Sequence, residues 1–302
     1  MQENEIEKED QQESQHQHHR RHHHKKSKFK SVVYCVLSFF LSLTLFLFSI
    51  CMILNFTVFS KDYMINTMES QGYYNMVKYE LQTRMINLVD ASGFKKDFAV
   101  NFTNSYDVKK AVDDYIASFY SNDSTLVETT AFKQQLYQAV KQYAKDENIE
   151  ITPEVENNVI YFINEAANIY VDQISIPFFS VIGKYLYSAS STINILSASL
   201  AILTVILVCI ISFTNQFKHR RYRYICYGLI GGALTTFTLP TAVLSLNMIP
   251  KVNITTHSLY NLFVGYFNTL FYYFYICVAV MVVLAVINFI MYVKYYNKYR
   301  SA

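Results

Sequence analysis

The sequence predicts an all-α polytopic membrane protein with four transmembrane helices and an external helical bundle between the first and the second. Apolar residues make up 52% of the 302 residues and charged residues 16%, whereas soluble domains carry about 25% charged residues. Only 7 Gly and 4 Pro interrupt the chain. This composition excludes collagen-like, disulfide-stapled and wholly disordered chains.

Four stretches are long and apolar enough to cross a hydrocarbon core of ~30 Å, which takes about 20 residues. None of them contains Asp, Glu, Lys, Arg or His. The first lies at residues 32–56 within a segment 31–59, and the others lie in a three-span membrane domain, residues 193–302. These three are expected at residues 193–213, 224–246 and 269–293.

Lys and Arg cluster before the first span, between the second and third, and after the fourth. The loop between the third and fourth spans, residues 247–268, has Lys251 as its single Lys or Arg. Because cytoplasmic loops carry the excess of Lys and Arg, the sequence predicts that both termini are cytoplasmic. The cell membrane is the simplest location for such a protein.

Residues 60–192 are expected to form an extracytoplasmic helical domain, which holds 11 Lys or Arg and 17 Asp or Glu. Its apolar residues recur with helical spacing in four stretches. The first predicted helix contains Met64 and ends at Ser92-Gly93, where Gly suits a left-handed cap. The second is expected to have Asn104 or Ser105 as its N-cap.

The third predicted helix of this domain covers residues 132–143, and the fourth has the clearest start. Thr152 is its expected N-cap and Pro153 its first residue, since Pro suits that position. Pro177 should end it, because Pro cannot continue a helix. A four-helix bundle standing on the membrane is the simplest arrangement of these elements.

Residues 1–30 have the composition of a disordered cytoplasmic tail, rich in Glu, Gln, His and Lys. One interpretation of its histidines is metal capture. The other, which the interrupting Arg residues favour, is a solvated tail whose basic end lies on anionic lipid. The histidines concerned are His16, His18, His19, His22, His23 and His24.

Catalytic patterns are scarce. The spans hold no carboxylate, which excludes an aspartyl intramembrane protease and weakens ion-coupled transport. Neither a phosphate-binding Gly loop nor an HExxH pattern occurs. His257, in the outer loop, is the single enzymatic candidate, as a base for acyl or lipid-headgroup chemistry in which Ser258 or a partner group supplies the nucleophile. A lone loop histidine more often has no catalytic role.

Gly228 and Gly232 form a Gly-x-x-x-Gly pattern in the third span, which predicts close packing of helices. Pro240 predicts a kink in that span. The hydroxyls of Thr235, Thr236 and Thr238 are expected to satisfy part of the freed carbonyls. A mobile gate is the functional alternative to static packing.

Two stretches carry a resemblance, Tyr73-Tyr74 and the run Asp-Val-Lys-Lys-Ala-Val-Asp-Asp-Tyr-Ile from Asp107 to Ile116. With the order of basic tail, span, helical segment and three spans, the chain resembles uncharacterised four-pass membrane proteins of AT-rich Gram-positive bacteria. The resemblance covers the layout and implies no activity. The His- and Gln-rich tail fits an AT-rich eukaryotic microbe equally well.

The leading hypothesis is a non-enzymatic membrane protein whose external domain binds a partner or senses a ligand. The alternatives are a subunit of an oligomeric channel or transporter, and a lipid- or lipoprotein-modifying enzyme that uses His257. The expected partners are the lipid bilayer, a protein bound by the external domain, anionic lipid at the tail and further copies of the chain. No nucleic acid and no cofactor are expected.

Overall fold

A computed structural model describes residues 30–121, 127–177, 179, 182, 183 and 185–301, and every regular element in this part of the chain is helical. The helices in chain order are α1 (Glu3–Phe56, of which residues 30–56 are described), α2 (Lys61–Ser70), α3 (Tyr73–Ala91), α4 (Lys96–Ser105), α5 (Val108–Ser121), α6 (Thr130–Asp146), α7 (Pro153–Ile174), α8 (Phe179–Thr214), α9 (Lys218–Ser245) and α10 (His257–Arg300), with a short 3-10 helix at Ile249–Lys251. The predictions made for residues 1–29, including the six tail histidines, lie outside the described residues.

The chain divides into two compact units. The first, here called the span unit, comprises Met1–Cys51, Leu196–Ala242 and Tyr273–Ala302. The second, the bundle unit, comprises Met52–Ile195 and Val243–Tyr272. Helix α10 begins in the bundle unit and ends in the span unit.

In the described part of the chain, four helices are long and apolar enough to cross a membrane, at Lys30–Phe56, Tyr185–Thr214, Lys218–Ser245 and His257–Arg300. The chain is therefore a candidate multi-pass membrane protein. Most of these helices extend beyond the apolar stretches read from the sequence. The reason is that lipid tolerates few charges, whereas helical hydrogen bonding continues into polar flanking residues.

Helix α3 lies at the centre of the bundle unit. Val77, Leu81, Met85 and Val89 follow each other at four-residue intervals, and each is 0% exposed. This stripe packs chiefly against α4 and α7. Burying an aliphatic side chain of this size stabilises a fold by about 1.5–3 kcal/mol, so α3 anchors the core of the unit.

The prediction of four helices in residues 60–192 is wrong, because the described part of this segment holds six before the start of α8. The helix predicted from Met64 to Ser92 is two helices, α2 and α3. They are separated at Gln71-Gly72, where Gly72 has a φ of +65°. An apolar stripe continues across this break, which is why the spacing alone suggested one helix.

Helix α4 was missed, and the predicted start of α5 was misplaced. Asn104 and Ser105 are the last residues of α4 rather than the N-cap of α5. Asp107 acts as the cap instead, since its Oδ1 accepts a hydrogen bond from the Lys110 amide at 2.9 Å. The α4 core residues Phe98, Ala99 and Phe102 were too few to suggest a separate helix.

Three predicted helix ends in the bundle unit are confirmed. Thr152 Oγ1 accepts a hydrogen bond from the Val155 amide at 3.4 Å, with Pro153 as the first residue of α7. Helix α7 ends at Ile174, before Pro177. Helix α3 ends just before Gly93, whose φ is +81°. Capping chemistry was therefore a better guide to helix ends than apolar spacing.

Candidate functional site at the start of helix α10

The first three turns of α10 carry a row of residues that contact the helices of the bundle unit. They lie three or four positions apart and so share one face of the helix. We call this face the α10 seam; it consists of Ser258, Asn261, Leu262, Gly265 and Tyr266.

The carboxylate of Glu80, on α3, forms the centre of the seam. Its Oε2 accepts hydrogen bonds from Ser258 Oγ at 2.6 Å and from Gln173 Nε2 at 2.5 Å. Its Oε1 accepts one from the Ser258 amide at 3.1 Å. Gln173 is 4% exposed and Ser258 1% exposed, so three helices, α3, α7 and α10, meet in a largely buried polar network.

Glu80 also acts as a helix cap supplied from a distant part of the chain. Ser258 is the second residue of α10, and its amide has no acceptor within that helix. A carboxylate at this end also interacts favourably with the helix dipole. Burial and the neighbouring charge of Glu80 raise the pKa of Tyr73, which keeps that phenol neutral beside the network.

The remaining residues of the seam continue the contact for two further turns. Leu262 is 4% exposed and belongs to the core of the bundle unit. Tyr63 donates a hydrogen bond from its hydroxyl to the Tyr266 carbonyl at 3.1 Å. A Cβ at Gly265 would lie 2.3 Å from Cδ of Gln71, so the missing side chain there lets Gln71 approach the helix closely.

His257 is the first residue of α10 rather than a loop residue, and it is exposed. Its Nδ1 lies 3.2 Å from Nδ2 of Asn261. The hydroxyl of Ser258, one of the two nucleophiles considered, donates a hydrogen bond to Glu80. His257 and Ser258 therefore contact different residues, Asn261 and Glu80 respectively.

Gly228 and Gly232, in the span unit, lie against α1. A Cβ at Gly228 would be 2.7 Å from Cδ2 of Leu41, and one at Gly232 would be 3.2 Å from Cβ of Leu45. Ser38 Oγ also donates to the Tyr224 carbonyl at 2.9 Å. The glycine face is therefore used for close packing of α9 on α1 within the chain.

The threonines around Pro240 form different hydrogen bonds from those predicted. Pro240 lacks an amide hydrogen, so the carbonyl of Thr236 loses its helical donor. Thr235 Oγ1 donates to the Gly231 and Gly232 carbonyls at 3.0 Å, and Thr238 Oγ1 donates to the Leu234 carbonyl at 2.8 Å. These hydroxyls therefore satisfy carbonyls two to five residues before Thr236, and not the carbonyl of Thr236 itself.

Among the described residues, no group of three or more His, Cys, Asp or Glu side chains could hold a metal ion. The bundle unit has a surface pocket of about 600 Å³ lined partly by hydroxyls and aromatic rings, among them Tyr120, Tyr187 and Ser190. A second pocket, of about 340 Å³, lies beside Asp107, Asp114 and Tyr170. Neither lining contains a His or a Cys.

Sequence reasoning missed Glu80, Gln173 and the seam. Glu80 was one polar residue in a helical stripe, and nothing near it in the chain indicates its partners. Ser258 was singled out because it adjoins His257, although its contact with Glu80 depends on the tertiary fold.

Comparison of the chain with protein-family models, with curated protein sequences and with solved structures finds no match. Function is therefore inferred from the residues of the chain itself.

Proposed function

We propose that the chain is a non-enzymatic multi-pass membrane protein of the cell membrane, with both termini in the cytoplasm. The helices Lys61–Ile174 form its extracytoplasmic domain, which binds a partner or ligand. The α10 seam carries the proposal, because it joins that domain to the start of a helix long and apolar enough to cross the bilayer.

Contacts within the span unit support this orientation. Ser31 Oγ lies 3.0 Å from the Tyr224 hydroxyl, so the start of the described part of α1 adjoins the start of α9. The Tyr222 and Tyr295 rings stack at 5.6 Å, which brings the end of α10 to the same place. The basic clusters at the start of α9 and at the end of α10 thus share one end of the unit with Lys30, the first described residue of α1, as a cytoplasmic face requires.

The chemistry of the seam favours transmission of a conformational change over catalysis. Three donor groups occupy the Glu80 carboxylate, and a satisfied buried network fixes geometry. A ligand that shifts α3 against α7 would alter this network and with it the first turn of α10. Such a ligand needs only a different affinity for the two arrangements.

Labelling of single introduced cysteines tests the orientation. Ser92→Cys places a thiol on the exposed end of α3, and Ser301→Cys places one after α10. In intact cells, a membrane-impermeant maleimide should label Ser92→Cys, whereas Ser301→Cys should react only after permeabilisation. The unsubstituted protein, with its five cysteines, gives the background. The reverse pattern would invert the topology.

Mass spectrometry of protein extracted gently from its native membrane tests the binding function. A stoichiometric protein or small-molecule partner is expected to remain bound. The Glu80→Ala variant should lose it or hold it more weakly, while Glu150→Ala, an exposed carboxylate of the same domain, should retain it. Protein that is free of partners in both forms would contradict the proposal.

No contact in the described residues favours the alternatives. The glycine face that suggested a channel subunit is occupied by α1, and flux through proteoliposomes would test that alternative. Full function of a His257→Ala variant in the native host would exclude the enzyme.

A further inference from the structure

Charge is strongly segregated along this chain. All 23 carboxylates lie at or before Asp172, so the described residues of the span unit carry cations and no Asp or Glu. Most of these cations lie in two short segments, the start of α9 and the last two turns of α10. We call these residues the basic end; they are Lys218, Arg220, Arg221, Arg223, Lys294, Lys298 and Arg300.

Aromatic contacts join the two segments. The Tyr222 ring stacks parallel to the Tyr295 ring, with 5.6 Å between centroids. Nζ of Lys218 lies 5.6 Å from the centre of the same Tyr295 ring. His219 packs on Tyr299 at 5.1 Å. Residues about 75 positions apart therefore form one surface.

Further aromatic rings contact individual cations of the basic end. The Arg220 guanidinium lies 5.2 Å from the Phe217 ring, and the Arg223 guanidinium lies 4.9 Å from the Tyr224 ring. Arg223 Nη2 donates a hydrogen bond to the Tyr224 hydroxyl at 3.0 Å. Its Nε is buried and has no hydrogen-bond partner. Pre-ordered guanidinium groups lose less entropy when they bind an anion.

We propose that the basic end binds the phosphate groups of anionic phospholipids. The cations lie at the ends of helices long and apolar enough to span a bilayer, which is the level of the headgroups. The first turn of α9 adds the positive end of a helix dipole. Charge complementarity selects the lipid class, since Lys and Arg near the membrane surface are attracted to anionic headgroups.

Lipid titration of the full-length protein in detergent, read by native mass spectrometry, tests the site. Phosphatidylglycerol should bind at least about tenfold more tightly than phosphatidylcholine with the same acyl chains. The triple variant Lys218→Gln, Arg220→Gln and Arg223→Gln should lose this preference. Raising the salt concentration should weaken the preference of the unsubstituted protein, because salt screens exposed charges.

A matched triple variant removes the same charge from exposed lysines of the bundle unit: Lys61→Gln, Lys110→Gln and Lys145→Gln. It should keep the preference. Equal binding of both lipids by the unsubstituted protein would overturn the site, as would a preference that survives the first variant or disappears in the matched one. Displacement of phosphatidylglycerol by an equal concentration of inorganic phosphate would overturn the assignment to lipid.

If the first triple variant fails to fold, the two-lipid comparison and the salt dependence still decide the matter. The inference is independent of the proposed binding function, because it concerns only the span unit. An unliganded bundle with a lipid-selective basic end would refute the proposed function alone.

Discussion

Glu80 joins two donors that lie far from it in the chain, Gln173 at a separation of 93 residues and Ser258 at 178 residues. Leaving a buried donor without an acceptor costs about 1–3 kcal/mol. The network therefore has more effect on stability than the exposed ion pairs of the bundle unit, such as Lys95–Glu147 and Lys109–Glu69.

Substituting Glu80 by Ala is expected to lower the free energy of unfolding by about 2–4 kcal/mol, because the buried donors of Gln173 and Ser258 lose their acceptor. Glu80→Gln should cost less, since one acceptor oxygen remains. Thermal unfolding of the full chain in mild detergent measures both, and hydrogen exchange should rise in residues 258–266. A loss no larger than that of exposed Glu150→Ala, about 0.5 kcal/mol or less, would refute the role of Glu80.

Buried and half-buried tyrosines make the stability of the bundle unit sensitive to alkaline pH. Burial raises the pKa of Tyr120 to about 12, and it also raises the pKa values of Tyr73, Tyr74 and Tyr170. A pKa that is higher in the folded state contributes stability that is complete below the unfolded value, about 10. That stability is lost as the pH rises through the folded value.

The free energy of unfolding is therefore expected to be constant up to about pH 10 and to fall between pH 10 and 12. Circular dichroism against pH, with tyrosinate absorbance as a parallel signal, measures this. Tyr120→Phe should make the fall in the free energy of unfolding less steep. Tyr161→Phe should leave it unchanged, because Tyr161 is 69% exposed. Stability that stays constant to pH 12 would contradict the prediction.

At the scale of helices, close packing of α9 on α1 depends on the absence of side chains. A Cβ at Gly228 would lie 2.7 to 3.1 Å from three atoms of Leu41. Real Cβ atoms are almost never that close to a neighbour, so Leu41 would have to move. Leu41 is itself 1% exposed and has little room to do so.

Gly228→Ala is expected to destabilise the span unit by about 1–3 kcal/mol through overpacking. Leu41→Ala alone should also destabilise it, because it leaves a cavity. The double variant should be more stable than the sum of the two losses predicts, since the added methyl enters the space that Leu41 vacates. Thermal unfolding in detergent gives all three values, and simple additivity would rule out the contact.

The sequence predicted best those elements whose determining residues are adjacent in the chain. The spans depend on apolar runs, and the start of α7 on Thr152 and Pro153, all adjacent in the chain. The break at Gly72 was missed because apolar residues continue on both sides of it. The seam was missed because Glu80, Gln173 and Ser258 meet only through tertiary packing.

For the whole molecule, the important feature is that α10 is one uninterrupted helix. It runs for 44 residues without a proline, and at 1.5 Å per residue it is about 66 Å long. Its seam residues lie in the bundle unit, and its last turn lies in the basic end. The partner-binding proposal and the lipid proposal therefore concern opposite ends of the same element.

Along a single helix, the angular phase between two residues is set by the number of residues between them. Inserting one alanine after Val280 should turn the seam by about 100° relative to Arg300. If ligand binding to the bundle alters the last turn of α10 along this helix, the insertion should abolish that effect. Seven inserted residues change the phase by only about 20° and should restore the coupling. Hydrogen exchange at residues 294–300, with and without the native partner, would compare the two insertions, and equal coupling in both would show that phase is irrelevant.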